Sequence, residues 1–316
     1  MLYSSVLLSL LPVVLLIATG FGAARLGWVG AGGLRDLSNL IFLLLAPALL
    51  FRAMSVVRID QLSVRPVAAY FIAAGLIFAA TLLTRGFNRT AAVLALANTY
   101  SNTVMIGIAL IGLAYGPEGM VVLLTLISLH SLVLMTSATL ILELAVAHEH
   151  ASRSGEARRP MLGTVVRALR QAVIHPVPLP IIAGLLFALS GWRMPEVIDR
   201  PILLLGQAFG PMALVMVGMT LAFTRVGAHW RAALVQALVK NVAHPALVAG
   251  IGWLIGLRGL PLTVMVVAAA LPIGANVLLF SQRYRTAEAS VTASVVVSTA
   301  LALVTLSVVM PLAGRL

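Results

Sequence analysis

Ten apolar runs, each long enough to cross a lipid bilayer, follow one another along this chain with short connections between them. A membrane-spanning helix needs about 20 mostly apolar residues. Only 9% of the 316 residues are charged and 61% are hydrophobic, whereas a soluble domain carries about 25% charged residues. The chain has too few polar side chains to face water on all sides, which excludes a soluble enzyme. We predict transmembrane helices over 4–24, 36–54, 66–84, 91–113, 119–146, 172–190, 201–223, 232–255, 261–281 and 288–313.

One connection, 147–171, is longer and more charged than the others, and it separates two halves, 1–146 and 172–316, of five spans each. Thirteen arginines fall on the side of this linker and seven on the opposite side. Because basic loops stay in the cytoplasm, we predict a cytoplasmic linker and both termini outside a bacterial inner membrane. The apolar N-terminus lacks a basic leading region, so we interpret it as a first helix rather than a cleaved signal.

The remaining charge and metal-ligand patterns exclude several functions. The net charge of +12 comes from arginines beside apolar runs, which indicates membrane topology and not a nucleic-acid surface. The absence of cysteine excludes disulfides and thiolate sites. His148 and His150 lie in the charged linker, where solvated histidines are common, so we predict no metal and no cofactor. No span carries two acids, as a paired-aspartate intramembrane hydrolase would require, and no charged ring or filter indicates a channel.

The two halves place prolines and asparagines at corresponding positions. Pro47 in span two and Pro211 in span seven are 164 positions apart, and each removes a backbone hydrogen bond, so that we expect a kink. Asn102 in span four and Asn276 in span nine are 174 positions apart. Since five spans is an odd number, the halves must cross the membrane in opposite directions. The sequence therefore predicts an inverted repeat, an architecture of secondary transporters.

Three segments in order along the chain carry a family resemblance: Ser38–Phe42 leading to Pro47–Phe51, the polar run Asn98–Asn102 followed by Ile106–Ile108, and Leu271–Asn276. With the ten spans, they resemble the auxin efflux carrier family, especially its bacterial malonate or auxin-efflux-type transporters. The resemblance implies an all-α fold of two inverted five-helix repeats, shared with bile-acid-type symporters and sodium/proton antiporters. Helices four and nine would break and cross at the membrane centre. It further implies small organic acids as substrates, a core moving against a scaffold, and a homodimer, as in plant members.

The candidate substrate-binding residues lie at the two expected breaks: Asn98, Ser101, Asn102, Pro272, Gly274 and Asn276. Asparagine both donates and accepts, so it can replace backbone partners that are lost where a helix unwinds. Half-helix N-termini aimed at the same point would favour an anion. The alternative is that these asparagines only join helices to one another. Span four has no proline, unlike the plant pattern, which leaves its breakpoint open.

Lys240, the only lysine, lies eight to nine residues into span eight, with His244 one turn further on. Intramembrane charges usually face the bundle interior and mark function. We therefore consider Lys240 and His244 as coupling or support residues, either as a counter-charge for the anion or as a proton- or conformation-linked group. The alternative is that Lys240 extends to the cytoplasmic interface. Span three has no acid to pair with it. For Arg52 there are two alternatives: its charge attracts the acidic substrate, or it anchors the end of its helix at the membrane interface.

These observations predict a membrane carrier, not an enzyme, that moves small organic acids by alternating access around Asn102 and Asn276. Malonate-like dicarboxylates are the expected substrates, and an aromatic site for auxin is not indicated. The alternative is a sodium-coupled organic-anion symporter of the bile-acid type, which would be expected to line the break with an acid or a glutamine. Uniport driven by membrane potential and proton coupling are further alternatives.

Overall fold

The computed structural model describes residues 2–56, 64–154, 178–224 and 227–316, and every regular element within these ranges is helical. Before the second gap the helices are α1 (Leu2–Arg25), α2 (Ala31–Leu40), α3 (Ala46–Ser55), α4 (Val64–Arg85), α5 (Arg89–Thr99) and α6 (Ile108–Ser154). After it they are α7 (Pro178–Leu189), α8 (Glu196–Phe223), α9 (Trp230–Leu238), α10 (His244–Leu254), α11 (Leu260–Ala270), α12 (Asn276–Arg283) and α13 (Glu288–Ala313).

Six helical segments of the described chain are long and apolar enough to cross a membrane: Gly32–Ser55, Val64–Arg85, Thr103–Val146, Glu196–Phe223, Trp230–Leu254 and Glu288–Ala313. Three shorter apolar helices accompany them: Leu10–Arg25, Leu179–Leu189 and Leu260–Ala270. Large apolar side chains such as Leu83 and Val197 point outward, as lipid-facing residues do. The chain is therefore an all-helical, multi-pass membrane protein.

Each predicted span overlaps these helices. Spans four and five are separated inside α6 at Gly116, whose φ of 60° and ψ of −155° are not helical. Pro117 follows, and proline cannot continue a regular hydrogen-bond ladder. Span 172–190 is described from residue 178 onward. Of the predicted linker 147–171, only the beginning lies within the described residues, and it continues α6 to Ser154.

Three π-helical turns interrupt the α-helical ladder of the described residues. Ile41–Leu45 joins α2 to α3, Val239–Ala243 joins α9 to α10, and Thr103–Gly107 leads into α6. Such turns are frequent at functional sites because they displace one residue from the regular pattern. Pro47 comes two residues after the first of them. The distortion expected at Pro47 is thus a π-turn on its N-terminal side.

Pro211 differs from Pro47, although the sequence suggests that they are equivalent. It lies inside α8, which runs from Glu196 to Phe223 as one helix. A single missing N–H does not end a helix whose neighbours hold it in place by packing. The helix breaks expected at Pro47 and Pro211 are therefore not alike in the structure.

Glycines set the closest helix contacts on one side of the molecule. A Cβ on Gly20 of α1 would meet the carbonyl oxygen of Val215, and one on Gly218 of α8 would meet the carbonyl oxygen of Ile17. Small residues allow this approach of two backbones in membranes. In the same way, a Cβ on Gly184 of α7 would meet a carbonyl oxygen of α3. The other helices, chiefly α4, α5, α10, α11 and α13, pack among themselves and hold the site.

Candidate functional site

Two extended segments meet where the predicted spans four and nine lose their helical structure. The first, at residues 100–102, follows α5, and the second, at residues 271–275, follows α11. Ser101 and Ile273 form an antiparallel bridge. The Asn102 amide donates to the Pro272 carbonyl at 2.8 Å, and the Gly274 amide donates to the Tyr100 carbonyl at 3.0 Å. Each broken helix therefore supplies the backbone partners that the other has lost. This pairing is needed because the hydrocarbon core of a bilayer holds no water to bond unpaired N–H and C=O groups.

Local sequence explains why the chain leaves the helix at these points. Asn102 caps the π-turn Thr103–Gly107, since its side-chain oxygen accepts from the Met105 amide at 3.2 Å. Asparagine is a strong N-cap because it satisfies an otherwise unpaired donor. Gly274 lies so close to Tyr100 that a Cβ there would come within 2.8 Å of the ring. The pairing of the two segments thus depends on a small residue at this position.

A small cavity of about 30 Å³ opens at this crossing. Most of its lining comes from the two extended segments and from the turns that follow them. The full lining is Phe42, Tyr100, Ser101, Asn102, Thr103, Val104, Met105, Ser131, Gly274, Ala275 and Asn276. The lining is uncharged, and it combines hydroxyl and amide side chains with apolar ones such as Phe42 and Met105. Phe42 alone comes from the π-turn before α3, so the cavity lies between that turn and the broken helices.

Tyr100 organises the polar side of the cavity. Its hydroxyl lies 2.6 Å from the Ser131 hydroxyl of α6 and accepts from the Asn276 side-chain amide at 2.9 Å. Buried tyrosine hydroxyls need such partners. Two helical segments also begin at the cavity, the π-turn at Thr103 and α12 at Asn276. Helix N-termini carry partial positive charge, so the cavity is polarised for a negative group.

A second polar cluster lies behind the crossing. The Tyr70 hydroxyl of α4 lies 2.8 Å from the Ser101 hydroxyl and 3.1 Å from His130 Nε2. His130 is buried, as expected of a packed histidine, and its ring centroid is 4.4 Å from that of Tyr100. Ser101 thus connects the cavity to this inner cluster.

Lys240 lies at the same crossing but on the side away from the cavity lining. Its ammonium donates to the carbonyl oxygens of Ala269 at 2.5 Å and Leu271 at 2.8 Å, and the side chain is 0% exposed. The interpretation that it extends to the cytoplasmic interface is wrong, because the side chain ends on buried backbone. His244, one turn on, packs its ring against Tyr70 with 4.9 Å between centroids.

The predicted site residues divide into two groups. Four of them line the cavity: Ser101, Asn102, Gly274 and Asn276. Pro272 contributes its carbonyl to the pairing of the segments. Asn98 does not reach the cavity, because its amide donates to Thr81 of α4 at 3.1 Å. Its side-chain oxygen has no hydrogen-bond partner within the described residues, which is the only sign that Asn98 does more than join helices.

Sequence reasoning missed the residues whose hydroxyls hold Ser101 and Asn276 in place. Tyr70, Tyr100 and Ser131 bear the hydroxyls of the network. Tyr100 could have been found, because it lies inside the polar run of span four and a tyrosine at mid-membrane needs a partner. Ser131 gives no such signal, since isolated serines are common in membrane helices.

Arg52 forms an ion pair that the sequence does not predict. Its guanidinium donates from two nitrogens to both carboxylate oxygens of Asp199, at 2.8 and 2.9 Å, and so joins α3 to α8. Both side chains are about three-tenths exposed, at 29% and 30%. Arg52 is therefore engaged in the structure and is not an unpaired cation attracting substrate.

We expect Asp199→Asn to change the stability of the protein only slightly, because solvent screening leaves exposed ion pairs little to contribute. Transport should stay within about twofold of wild type, because neither Arg52 nor Asp199 lines the cavity. A thermal-melting curve and a transport assay on the purified variant would check this. A loss of transport without a loss of stability would instead give the pair a functional role.

A known family of membrane proteins is similar to this chain over most of its length. A family model described as "Membrane transport protein" matches residues 5–310. The chain is 27% identical over 308 residues to "Putative malonate transporter" of Rhizobium meliloti (strain 1021), covering 94% of this chain and 92% of that protein.

Two plant proteins are also similar. "Auxin efflux carrier component 8" of Arabidopsis thaliana is 26% identical over 220 residues, which cover 58% of this chain and 60% of that protein. "Auxin efflux carrier component 3a" of Oryza sativa subsp. japonica is 28% identical over 164 residues, which cover 48% and 26%. The matches span less than two thirds of either plant carrier. With a family match that runs from residue 5 to residue 310, the chain belongs to the membrane transport protein family of the auxin efflux carriers.

Proposed function

We propose that this transporter carries small organic acid anions, malonate-like dicarboxylates first among them, by alternating access. The observation that carries the proposal is the cavity at the crossing, which is uncharged and has two helix N-termini beginning at it. Amide and hydroxyl donors of Asn102, Asn276 and Tyr100 can bind carboxylate oxygens. The bacterial relative named for malonate supports the same substrate class.

We further propose that residues 1–146 and 172–316 form two inverted five-helix repeats of a ten-span fold in a bacterial inner membrane, with 147–171 cytoplasmic and both termini outside. Equivalent packing supports the repeat. The first span packs on the seventh, as α1 on α8, and the second on the sixth, as α3 on α7. A two-fold axis that exchanges the halves would relate these pairs. The breaks after Thr99 and Ala270 fall in the fourth and ninth spans.

The same packing indicates which parts would move. The glycine contacts of α1 with α8 and of α3 with α7 form a scaffold, whereas the broken helices belong to the other group. The cavity lies between them, because Phe42 comes from the scaffold side and the rest of the lining from the crossing and α6. A displacement of the broken helices past Phe42 would expose the cavity to one side of the membrane and then to the other.

Current from the purified protein in liposomes on a solid-supported membrane would test the function. Malonate, longer dicarboxylates, monocarboxylates and indole-3-acetate would be offered in turn, with and without sodium and across pH. We expect a sodium-independent current with a short dicarboxylate. A current that requires sodium would favour a sodium-coupled symporter instead. If no acid produces a current and no labelled acid is exchanged across the membrane, the proposal is contradicted.

A further inference from the structure

Lys240 is a buried lysine without an acidic partner among the residues that the structure describes. It is 0% exposed, and no Asp or Glu is among the buried residues of the described chain. An intramembrane charge is costly unless something compensates it. The compensation here comes from the backbone, since the ammonium donates to the carbonyls of Ala269 and Leu271.

Those two carbonyls lie where α11 ends at Ala270. The last carbonyls of a helix have no intrahelical partner, and the helix dipole adds partial negative charge there. The distances of 2.5 and 2.8 Å are short, as expected when the donor is charged. Lys240 therefore binds the end of α11 as a cation would.

Free cations occupy such positions in other transporters. Where helices break at mid-membrane, unwound carbonyls and half-helix C-termini coordinate the coupling sodium ion. We propose that the ammonium of Lys240 is a tethered cation that takes the place of a coupling sodium at the crossing, so that anion transport proceeds without sodium. This inference rests on the proposed function and deepens it, because it assigns the basis of the energy coupling.

The surroundings of the ammonium disfavour a second positive ion. An ion bound to the carbonyl of Ala269 or Leu271 would lie against the ammonium that already occupies both of them. Two unit charges a few ångströms apart repel strongly inside a protein. Sodium can therefore enter only when the ammonium is removed.

The test compares transport in sodium, methylammonium and choline chloride for the wild type and for Lys240→Ala. We expect the wild type to be equally active in all three salts. The variant should be roughly tenfold slower in choline and should recover most of its activity in sodium or methylammonium. Gln236→Ala is the matched control, since Gln236 is buried one turn earlier on α9 and bonds to Ser294 of α13. It should show no salt dependence.

Thermal melting provides a readout that needs no substrate. Lys240→Ala, purified in sodium, should melt at a lower temperature after transfer to choline, whereas the wild type and Gln236→Ala should not. Three results would overturn the inference: a wild type that requires sodium, a variant as active in choline as the wild type, or a variant that no small cation activates or stabilises. If the wild type carries no organic acid, the proposed function fails, and the melting comparison still decides whether Lys240 replaces a cation.

Discussion

Asn276→Ala is expected to lower the rate of organic-acid transport by at least about tenfold, while the protein still folds. The substitution removes a donor from the cavity and leaves the Tyr100 hydroxyl with Ser131 alone. A hydrogen bond to a charged group is worth about 1.5–3 kcal/mol, and about 1.4 kcal/mol of activation free energy is tenfold in rate. We expect the same loss for Asn102→Ala. Initial rates in liposomes and a melting curve for each variant are the measurements.

A double-mutant cycle with Tyr100→Phe separates two roles of Asn276. If Asn276 acts by orienting Tyr100, the two losses should not add, because both variants remove the same hydrogen bond. If Asn276 binds the anion itself, the losses should add. Near-normal transport in both Asn102→Ala and Asn276→Ala would move the substrate site away from the crossing.

Gly274→Ala should abolish most transport through sterics alone. The added Cβ would lie 2.8 and 2.9 Å from two ring atoms of Tyr100 and 3.2 Å from the Ser101 carbonyl oxygen. The ring cannot easily move aside, because its hydroxyl is held by Ser131 and Asn276. Overpacking of this kind costs about 1–3 kcal/mol, and here the cost falls on the pairing of the two segments. We therefore expect a melting temperature lower by a few degrees and a rate at least about tenfold lower.

Gly75→Ala is the matched control for this prediction. Gly75 lies inside α4, and no atom of a neighbouring element in the described chain comes within 4 Å of the point that a Cβ would occupy. Alanine also favours a helix over glycine by about 1 kcal/mol. The variant should transport as the wild type does and be at least as stable. If Gly274→Ala transports and melts as Gly75→Ala does, the two extended segments can move further apart without loss of function, and the prediction is wrong.

The helical, multi-pass fold could be predicted from the sequence because bilayer thickness fixes the length of an apolar run. The two break regions could also be predicted, because polar side chains are costly inside an apolar span and because proline and glycine disfavour a regular helix at the second break. Asn102, Gly274 and Asn276 stood out for that reason, and the structure places all three at the cavity.

What could not be predicted depends on neighbours that are distant in sequence. Lys240 has an obvious charge, but its backbone partners are 29 and 31 residues away, and a carbonyl has no side-chain signature. Arg52 and Asp199 are 147 residues apart and belong to different helices. Pro211 carries the same local signal as Pro47, yet packing keeps α8 continuous. In each case tertiary contacts decide between outcomes that local chemistry leaves equal.

The pairing of the two extended segments also sets the order of events during biosynthesis. The Asn102 amide finds its partner on Pro272, which the ribosome adds 170 residues later. At about 5–20 residues per second, the first break waits for roughly 10 to 30 seconds in the membrane with its backbone groups unpaired. The first half of the chain cannot mature as an independent unit, because α1 packs on α8. Membrane proteases would therefore encounter an incompletely folded first half. The fraction of chains that escapes degradation would depend on how fast the second half is synthesised.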